Sequence, residues 1–174
     1  MQSIILNEYR DLVQRKSAIE AALDTLPQGY ISVKHINGKA YRYLQHRSGG
    51  KVISKYLKPD IADEVTAQLI QRKELAAELP LIHHRLKEIE RAAVVLNHEL
   101  YAQLSIIKYS AGMDALPSDR KKRSVTFSNA MTSLEGAPVS RETKSVLVSW
   151  GFGEGSFSVI MEQTLRRYGF ITEV

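Results

Sequence analysis

The dipeptide Asn37-Gly38 is the strongest structural signal in the sequence, because both residues tolerate the positive φ angles that a two-residue type I′ hairpin turn requires. It separates YISVKHI from KAYRYLQHR, two segments rich in β-branched and aromatic residues. A second turn, Ser48-Gly49-Gly50, leads into KVISKYL. Residues 28–58 are therefore predicted to form a three-stranded antiparallel meander.

The two-residue turn also fixes the strand register, and with it the side chains that share a face of the sheet. Ile36 is predicted to pair with Lys39, Lys34 with Tyr41, and Ser32 with Tyr43. One face then carries Tyr30, Ser32, Lys34, Ile36, Lys39, Tyr41 and Tyr43. The opposite face is predicted to be the core side and carries Ile31, Val33, Ala40, Arg42 and Leu44.

Apolar residues at heptad spacing flank the predicted sheet in the chain. We expect these two stripes to pack as an antiparallel, coiled-coil-like helical hairpin; a homodimer through the same stripes is the alternative. Pro80 predicts a kink or break near residues 76–80, because proline removes a helical hydrogen bond and clashes with the preceding turn. The first stripe, interrupted at Lys16, is Ile5, Tyr9, Leu12, Ile19, Leu23 and Leu26, and the second is Leu75, Leu79, Ile82, Leu86, Ile89, Ala93, Leu96 and Leu100.

Residues 108–124 contain Gly, Pro, Ser and the basic run 120–123 without an apolar period, which predicts a linker. Beyond it, three short helices are expected at 126–135, 141–150 and 157–168, with Ser140 and Ser156 as N-caps. The chain is thus predicted to be mainly α, with the hairpin and meander in residues 1–107 and a small three-helix module in residues 125–174. This module is poor in apolar residues, so a partner is expected to bury its larger ones: Trp150, Phe152, Phe157 and Leu165.

Composition and motifs exclude much chemistry. The chain has no cysteine, which removes disulfides, Cys-based zinc sites and thiol nucleophiles. It contains no GxxxxGK[ST] phosphate loop, no GxGxxG after a strand and no GxSxG nucleophile elbow. We therefore expect a protein that is not an enzyme, with no catalytic residues, metal site or cofactor. Its first residues do not continue as a secretory signal and no apolar run suits a membrane helix, so a cytoplasmic protein with no membrane partner is expected.

Positive charge is concentrated in the predicted meander. The net charge of the chain is +5, yet residues 28–59 contain lysines and arginines and no acidic residue. Tyrosines lie among these cations, and aromatic side chains on a basic sheet suit contacts with nucleic acid; protection of edge strands by lysine is the alternative. The basic run 120–123 is a further candidate for the same polyanion or for an acidic partner. The candidate nucleic-acid contacts in the meander are Lys34, Lys39, Arg42, Arg47, Lys51 and Lys55.

The last part of the chain carries a family resemblance. The string FSNAMTSLEGAPVSRETKSVLVSWGFGEGSFSVIMEQTLRRYGF, at residues 127–170, resembles the VbhA-type antitoxins, small three-helix proteins that inhibit Fic-domain AMP-transferase toxins. The shared features are a helix ending in Leu-Glu-Gly, a helix that begins at a serine and stops at Trp-Gly, and a final helix. In that family, a glutamate pairs with the toxin arginine that otherwise holds the γ-phosphate of ATP, and AMP transfer is blocked.

Carried to this sequence, the resemblance implies that Glu135 is the inhibitory carboxylate, beside Ser133, Leu134 and Gly136. Met131 stands where the family has Ser or Thr. The His-Pro-Phe sequence of Fic enzymes is absent, so the resemblance implies an antitoxin whose partner is a Fic-domain toxin. The alternative function is nucleic-acid binding through the meander, with the C-terminal helices as an interaction module. The string GYISVKHINGKAYRYLQHRSGGKVISKYL itself resembles a recurrent motif of small uncharacterised bacterial and archaeal proteins.

Overall fold

The computed structural model describes residues 2–134 and 140–167, with the backbone alone for residues 131–134. These residues form a mainly α protein with a small β-meander between two long helices, which confirms the predicted fold class. None of the helices described has the length and apolar character needed to cross a membrane. The elements are α1 (Gln2–Thr25), β1 (Tyr30–Ile36), β2 (Lys39–Ser48), β3 (Lys51–Leu57), α2 (Pro59–Leu96), α3 (His98–Asp114), α4 (Ser118–Leu134), α5 (Arg141–Gly151) and α6 (Phe157–Arg167).

The chain divides into two compact units. Residues 15–87 form one, here called the sheet unit. Residues 1–14 and 88–174 form the other, here called the helical unit. The sheet unit thus contains the three strands with the adjoining parts of α1 and α2, while the helical unit contains the remaining parts of those helices together with α3 to α6.

The three strands pair in the order β1-β2-β3, and both pairings are antiparallel. Asn37 and Gly38 have φ angles of 49° and 74°, as a type I′ turn requires. The predicted register is confirmed, since Ile36 lies opposite Lys39, Lys34 opposite Tyr41 and Ser32 opposite Tyr43. β3 continues the same alternation, with Tyr56 opposite Tyr43.

Within the sheet unit, α1 and α2 lie antiparallel. The Arg15 guanidinium donates to both carboxylate oxygens of Glu78, at 2.7 and 2.6 Å. Further along, Arg72 donates to the carbonyls of Leu23 and Leu26 at the end of α1. These carbonyls have no partner within the helix, so Arg72 satisfies them and fixes the point at which the chain leaves α1 for the sheet.

In the helical unit, the heptad stripe continues along α2 and is buried at Ile89 and Ala93. Tyr9 of α1 is 1% exposed and donates its hydroxyl hydrogen to Glu90 at 2.6 Å, while Lys108 of α3 donates to the same oxygen at 2.9 Å. Burial first, and then the acceptor carboxylate of Glu90, raise the pKa of the Tyr9 hydroxyl well above its usual range. Tyr9 therefore acts as a neutral donor that links α1 to α2.

The end of the second stripe differs from the prediction. Leu96 is 74% exposed because α2 ends there and α3 begins anew. The Asn97 side chain accepts hydrogen bonds from the backbone N–H groups of Glu99 and Leu100, at 2.8 and 3.2 Å, and so acts as the N-cap of α3. By contrast, of the kink or break predicted near Pro80, the break is absent, since α2 continues through that residue. Buried Ile82 and half-buried Leu79 hold the helix on both sides of the proline.

The predicted linker at residues 108–124 is also largely helical. Residues 108–114 complete α3, in which Leu104 and Ser110 are buried, and residues 118–124 are the first turns of α4, in which Val125 is buried. Only residues 115–117 separate the two helices. None of the side chains at residues 118–124 is fully buried, so no apolar period marks this part of α4 in the sequence, and its basic residues resemble those of a charged loop.

Candidate nucleic-acid interface

The observed register collects the tyrosines of the sheet on one face, here called the tyrosine face. In antiparallel strands, directly opposed residues point to the same side, and neighbours along a strand alternate. Tyr30, Tyr41, Tyr43 and Tyr56 therefore share a face. The same alternation places three of the candidate cations beside them, namely Lys34, Lys39 and Arg47.

The aromatic rings of the tyrosine face contact one another. The Tyr56 ring lies 6.0 Å from that of Tyr41 and 5.6 Å from that of Tyr43, centroid to centroid, in tilted and edge-on arrangements. The Lys34 ammonium lies 4.8 Å from the centre of the Tyr43 ring. Tyr30 and Tyr56 are 59% and 43% exposed, so two rings of this face are open to a ligand.

The opposite face holds the other three candidate cations. Arg42 forms an ion pair with Asp63 of α2, whereas Lys51 and Lys55 lie exposed in β3. The pleat thus divides the six predicted contacts into two sets of three, and the tyrosines accompany only one set. No ion pair joins Lys34, Lys39 or Arg47 to an acidic residue in the part of the chain that the structure describes.

The opposite face was predicted to be core, and the structure covers it only in part. Leu57 is 3% exposed and Leu44 is half-buried, but Val33 and Ile53 are 51% and 44% exposed. The covered positions lie near the strand ends that join α1 and α2. Both faces of the sheet therefore present side chains to solvent.

The C-terminal residues expected to contact a partner differ in how far they are buried. Trp150 and Phe157, at 1% and 9% exposure, are already buried within the helical unit. They pack with Val125 and Ile160, and the half-buried Met113 of α3 lies against them. This corrects the expectation that a partner is needed to bury them, because α3 supplies the missing apolar surface. Phe152 is 66% exposed, and Leu165 is half-buried.

The inhibitory motif expected from the family resemblance is only partly described. Glu135 and Gly136 lie outside the described residues, and the side chains of Ser133 and Leu134 do too. α4 ends at Leu134 and the Ser140 side chain accepts from the Thr143 backbone N–H at 3.1 Å, so Ser140 caps α5 as predicted. Helices α4, α5 and α6 thus follow one another in this part of the chain.

Asp114 of α3 joins α5 and α6 within the helical unit through hydrogen bonds. Its carboxylate accepts hydrogen bonds from the Trp150 indole N–H at 3.0 Å and the Ser156 hydroxyl at 2.6 Å. It also accepts from the backbone N–H groups of Phe157, at 2.6 Å, and Ser158, at 3.4 Å, and thereby shares the capping of α6 with Ser156. Burial alone raises the pKa of this carboxyl, but the hydrogen bonds outweigh it and the pKa is lowered. No local motif marks Asp114, since its partners lie more than thirty residues away.

Comparison with known proteins adds one match. A family model described as "Domain of unknown function (DUF6788)" matches residues 9–67, which include the three strands and part of each flanking helix. No curated protein and no solved structure matches the chain. Within the described residues, no group of three His, Asp or Glu side chains is arranged to hold a metal ion.

Proposed function

We propose that this protein binds single-stranded nucleic acid through the tyrosine face of its sheet, and that it does so in the cytoplasm. The observation that carries the proposal is that the exposed tyrosines share one face of the sheet with cations that form no ion pair among the described residues. Cations that neutralise phosphates supply affinity for any polyanion. Open aromatic rings add stacking on unpaired bases, which is worth about 1–3 kcal/mol per base.

The exposure of this face argues for a single strand as the ligand. Tyr30 and Tyr56 lie on a sheet surface and not on a helix or ribbon shaped for a groove. A base can lie on such a ring only after it has left its own stack, which a duplex resists and a single strand permits. Lysines that served only to protect the edge strands would need no tyrosines beside them.

The two sets of cations provide a matched test. We expect Lys34→Gln/Lys39→Gln, on the tyrosine face, to weaken binding of a labelled oligothymidine about tenfold at low salt. Its slope of log K against log salt should become shallower by about 1.4, since each phosphate contact to a single strand contributes about 0.7. The control Lys51→Gln/Lys55→Gln removes the same charge from the opposite face and should retain the wild-type slope. Fluorescence anisotropy over a salt series measures both.

Three outcomes of this comparison would contradict the proposal. Equal losses in the two variants would show a response to net charge alone and would refute the assignment to the tyrosine face. No binding by wild type at low salt would leave the lysines as edge protection. Tighter binding to a duplex of the same sequence than to the single strand would refute the stacking role of the tyrosines.

A second candidate function is inhibition of a Fic-domain toxin, favoured by the order of helices α4, α5 and α6 and by the position of Glu135 directly after α4. A carboxylate can form a bidentate pair with an arginine, among the stronger polar contacts in proteins. In this proposal Glu135 occupies the place of the ATP γ-phosphate, and the exposed Phe152 contributes to the contact with the toxin.

Co-expression with a Fic-domain protein encoded beside this chain tests that candidate. Wild type should suppress auto-adenylylation of the toxin, and Glu135→Ala should restore it. The control Glu154→Ala removes a carboxylate from the exposed turn between α5 and α6 and should still suppress. Equal suppression by wild type and Glu135→Ala, or suppression by neither, rejects the inhibitory role of Glu135.

A further inference from the structure

The basic run at residues 120–123 is divided by helix α4 into two pairs with different surroundings. The Lys121 ammonium lies 5.6 Å from the centre of the Trp150 ring, and that of Lys122 lies 4.9 Å from the centre of the Phe152 ring. Both lysines therefore lie on the side of α4 that packs against α5. Arg120 and Arg123 are exposed and make no such contact with the described residues.

An aromatic residue continues the arginine side of α4. Residues three and four positions apart lie along one face of a helix, so Arg120, Arg123 and Phe127 form a single stripe. Phe127 is 68% exposed, which is unusual for a phenylalanine on a helix that has a core available beside it. Among the described side chains of α4, Val125, two residues earlier, enters that core.

The charge of this stripe is unbalanced. Among the described residues, neither arginine forms an ion pair, and Asp119 is the one acid in the first turns of α4. Two planar guanidinium groups about one helical turn apart suit successive phosphates, to which arginine donates paired hydrogen bonds. An exposed ring in the next turn offers a surface on which a base can stack.

We infer that Arg120, Arg123 and Phe127 form a second contact surface for single-stranded nucleic acid, in the helical unit and separate from the tyrosine face. An acidic peptide would satisfy the two arginines but would leave the exposed ring without a role, so the combination favours a strand that carries both phosphates and bases. The inference uses none of the sheet residues, and it can fail or hold independently of the proposal made for them.

The test compares variants of the full chain by anisotropy with a labelled 20-nucleotide oligothymidine. Arg120→Gln/Arg123→Gln should weaken binding about tenfold at low salt and make the salt slope shallower by about 1.4. Phe127→Ala should weaken binding about fivefold or more with the slope unchanged, because it removes a stacking surface and no charge. The control Lys87→Gln/Arg91→Gln removes two exposed charges from α2, at the same one-turn spacing, and should retain the wild-type slope.

Several results separate this inference from the proposal for the sheet. If Arg120→Gln/Arg123→Gln kept the wild-type affinity and salt slope while Lys34→Gln/Lys39→Gln lost binding, the α4 surface would be refuted and the proposal for the tyrosine face would stand. The reverse pattern would refute the tyrosine face alone. If the salt slope of the α2 control also became shallower, the effect would be one of net charge alone, and the inference would be overturned. If the arginine variant lost binding to poly-L-glutamate and retained binding to oligothymidine, the surface would belong to an acidic polypeptide. Circular dichroism of each variant checks that the helices are retained.

Discussion

Gly29→Ala is expected to destabilise the sheet unit by at least about 3 kcal/mol. Gly29 has a φ angle of 122°, and a Cβ atom at this position would lie 2.1 Å from the backbone carbonyl oxygen of Gln45. The obstacle is backbone of the central strand, opposite the first residue of β1, so no side-chain rotation relieves the clash. Either β1 separates from β2 at this end or the path from α1 into the sheet changes.

Hydrogen exchange read by mass spectrometry localises the effect of Gly29→Ala. Amides in the peptides that cover residues 30–57 should exchange markedly faster, because opening of the sheet becomes less costly. The control is Gly49→Ala, which also has a positive φ angle, 56°, but open space around its Cα, so it should cost only about 1 kcal/mol. Similar exchange rates in the two variants would show that the close approach of Gly29 to Gln45 does not hold the sheet.

The second large effect is expected at Asp114. Asp114→Ala should destabilise the helical unit by about 3 kcal/mol, because it leaves several donors unpaired at once and each costs about 1–3 kcal/mol when buried. The Trp150 indole N–H is the most affected, since that side chain is 1% exposed and has no access to water. The Phe157 backbone N–H also loses its acceptor at the start of α6. Trp150 is the one tryptophan of the chain, so its fluorescence during urea unfolding reports this core directly.

The same carboxylate predicts a pH dependence. Its pKa is lower in the folded protein, so the folded state prefers the ionised form, and protonation favours unfolding. The stabilisation is complete above the unfolded value of about 3.9 and is lost as the pH falls through the folded pKa. Asp114→Asn should therefore be less stable than wild type at pH 7, and the difference should shrink below about pH 4.

Asp119→Asn is the matched control, because it removes the same charge from an exposed residue only five positions away. It should be as stable as wild type at pH 7 and should lose stability in acid as wild type does. If Asp114→Asn matched wild type at pH 7, or lost stability in acid as wild type does, the hydrogen bonds to Trp150, Ser156 and Phe157 would not be the source of the effect.

Local signals predicted the sheet well. The turn at Asn37-Gly38 depends on the φ preferences of two adjacent residues, and once the turn has two residues the pairing of β1 with β2 follows. The heptad stripes likewise repeat over several turns, which made their burial at Ile82, Leu86 and Ile89 predictable. The N-cap at Ser140 depends on a side chain three residues from its donor.

Features that depend on distant parts of the chain were missed. The sequence of residues 108–124 resembles a linker because the first turns of α4 bury a single valine, Val125. The contribution of Val125 to the core depends on Trp150 of α5, which folding brings beside it. The burial of Trp150 and Phe157 is not predictable from the C-terminal segment alone, because Met113 of α3, which packs against them, belongs to an earlier part of the sequence. Asp114 carries no sequence signal, since a single carboxylate acquires its role from donors that folding brings to it.

In the candidate interface, too, some features follow from neighbouring residues and others from distant parts of the chain. That residues 28–59 are basic, rich in tyrosine and folded as a meander is predictable from local sequence, because charge and turn preference are properties of neighbouring residues. Which of the cations remain free of ion pairs, and which face each occupies, depends on how the folded chain brings strands and helices together. Arg42 is paired with Asp63 of a helix, Lys34 and Lys39 share a face with the exposed tyrosines, and Lys51 and Lys55 point to the other side. Pleating and packing across strands, and not composition, separate one charged segment into two surfaces.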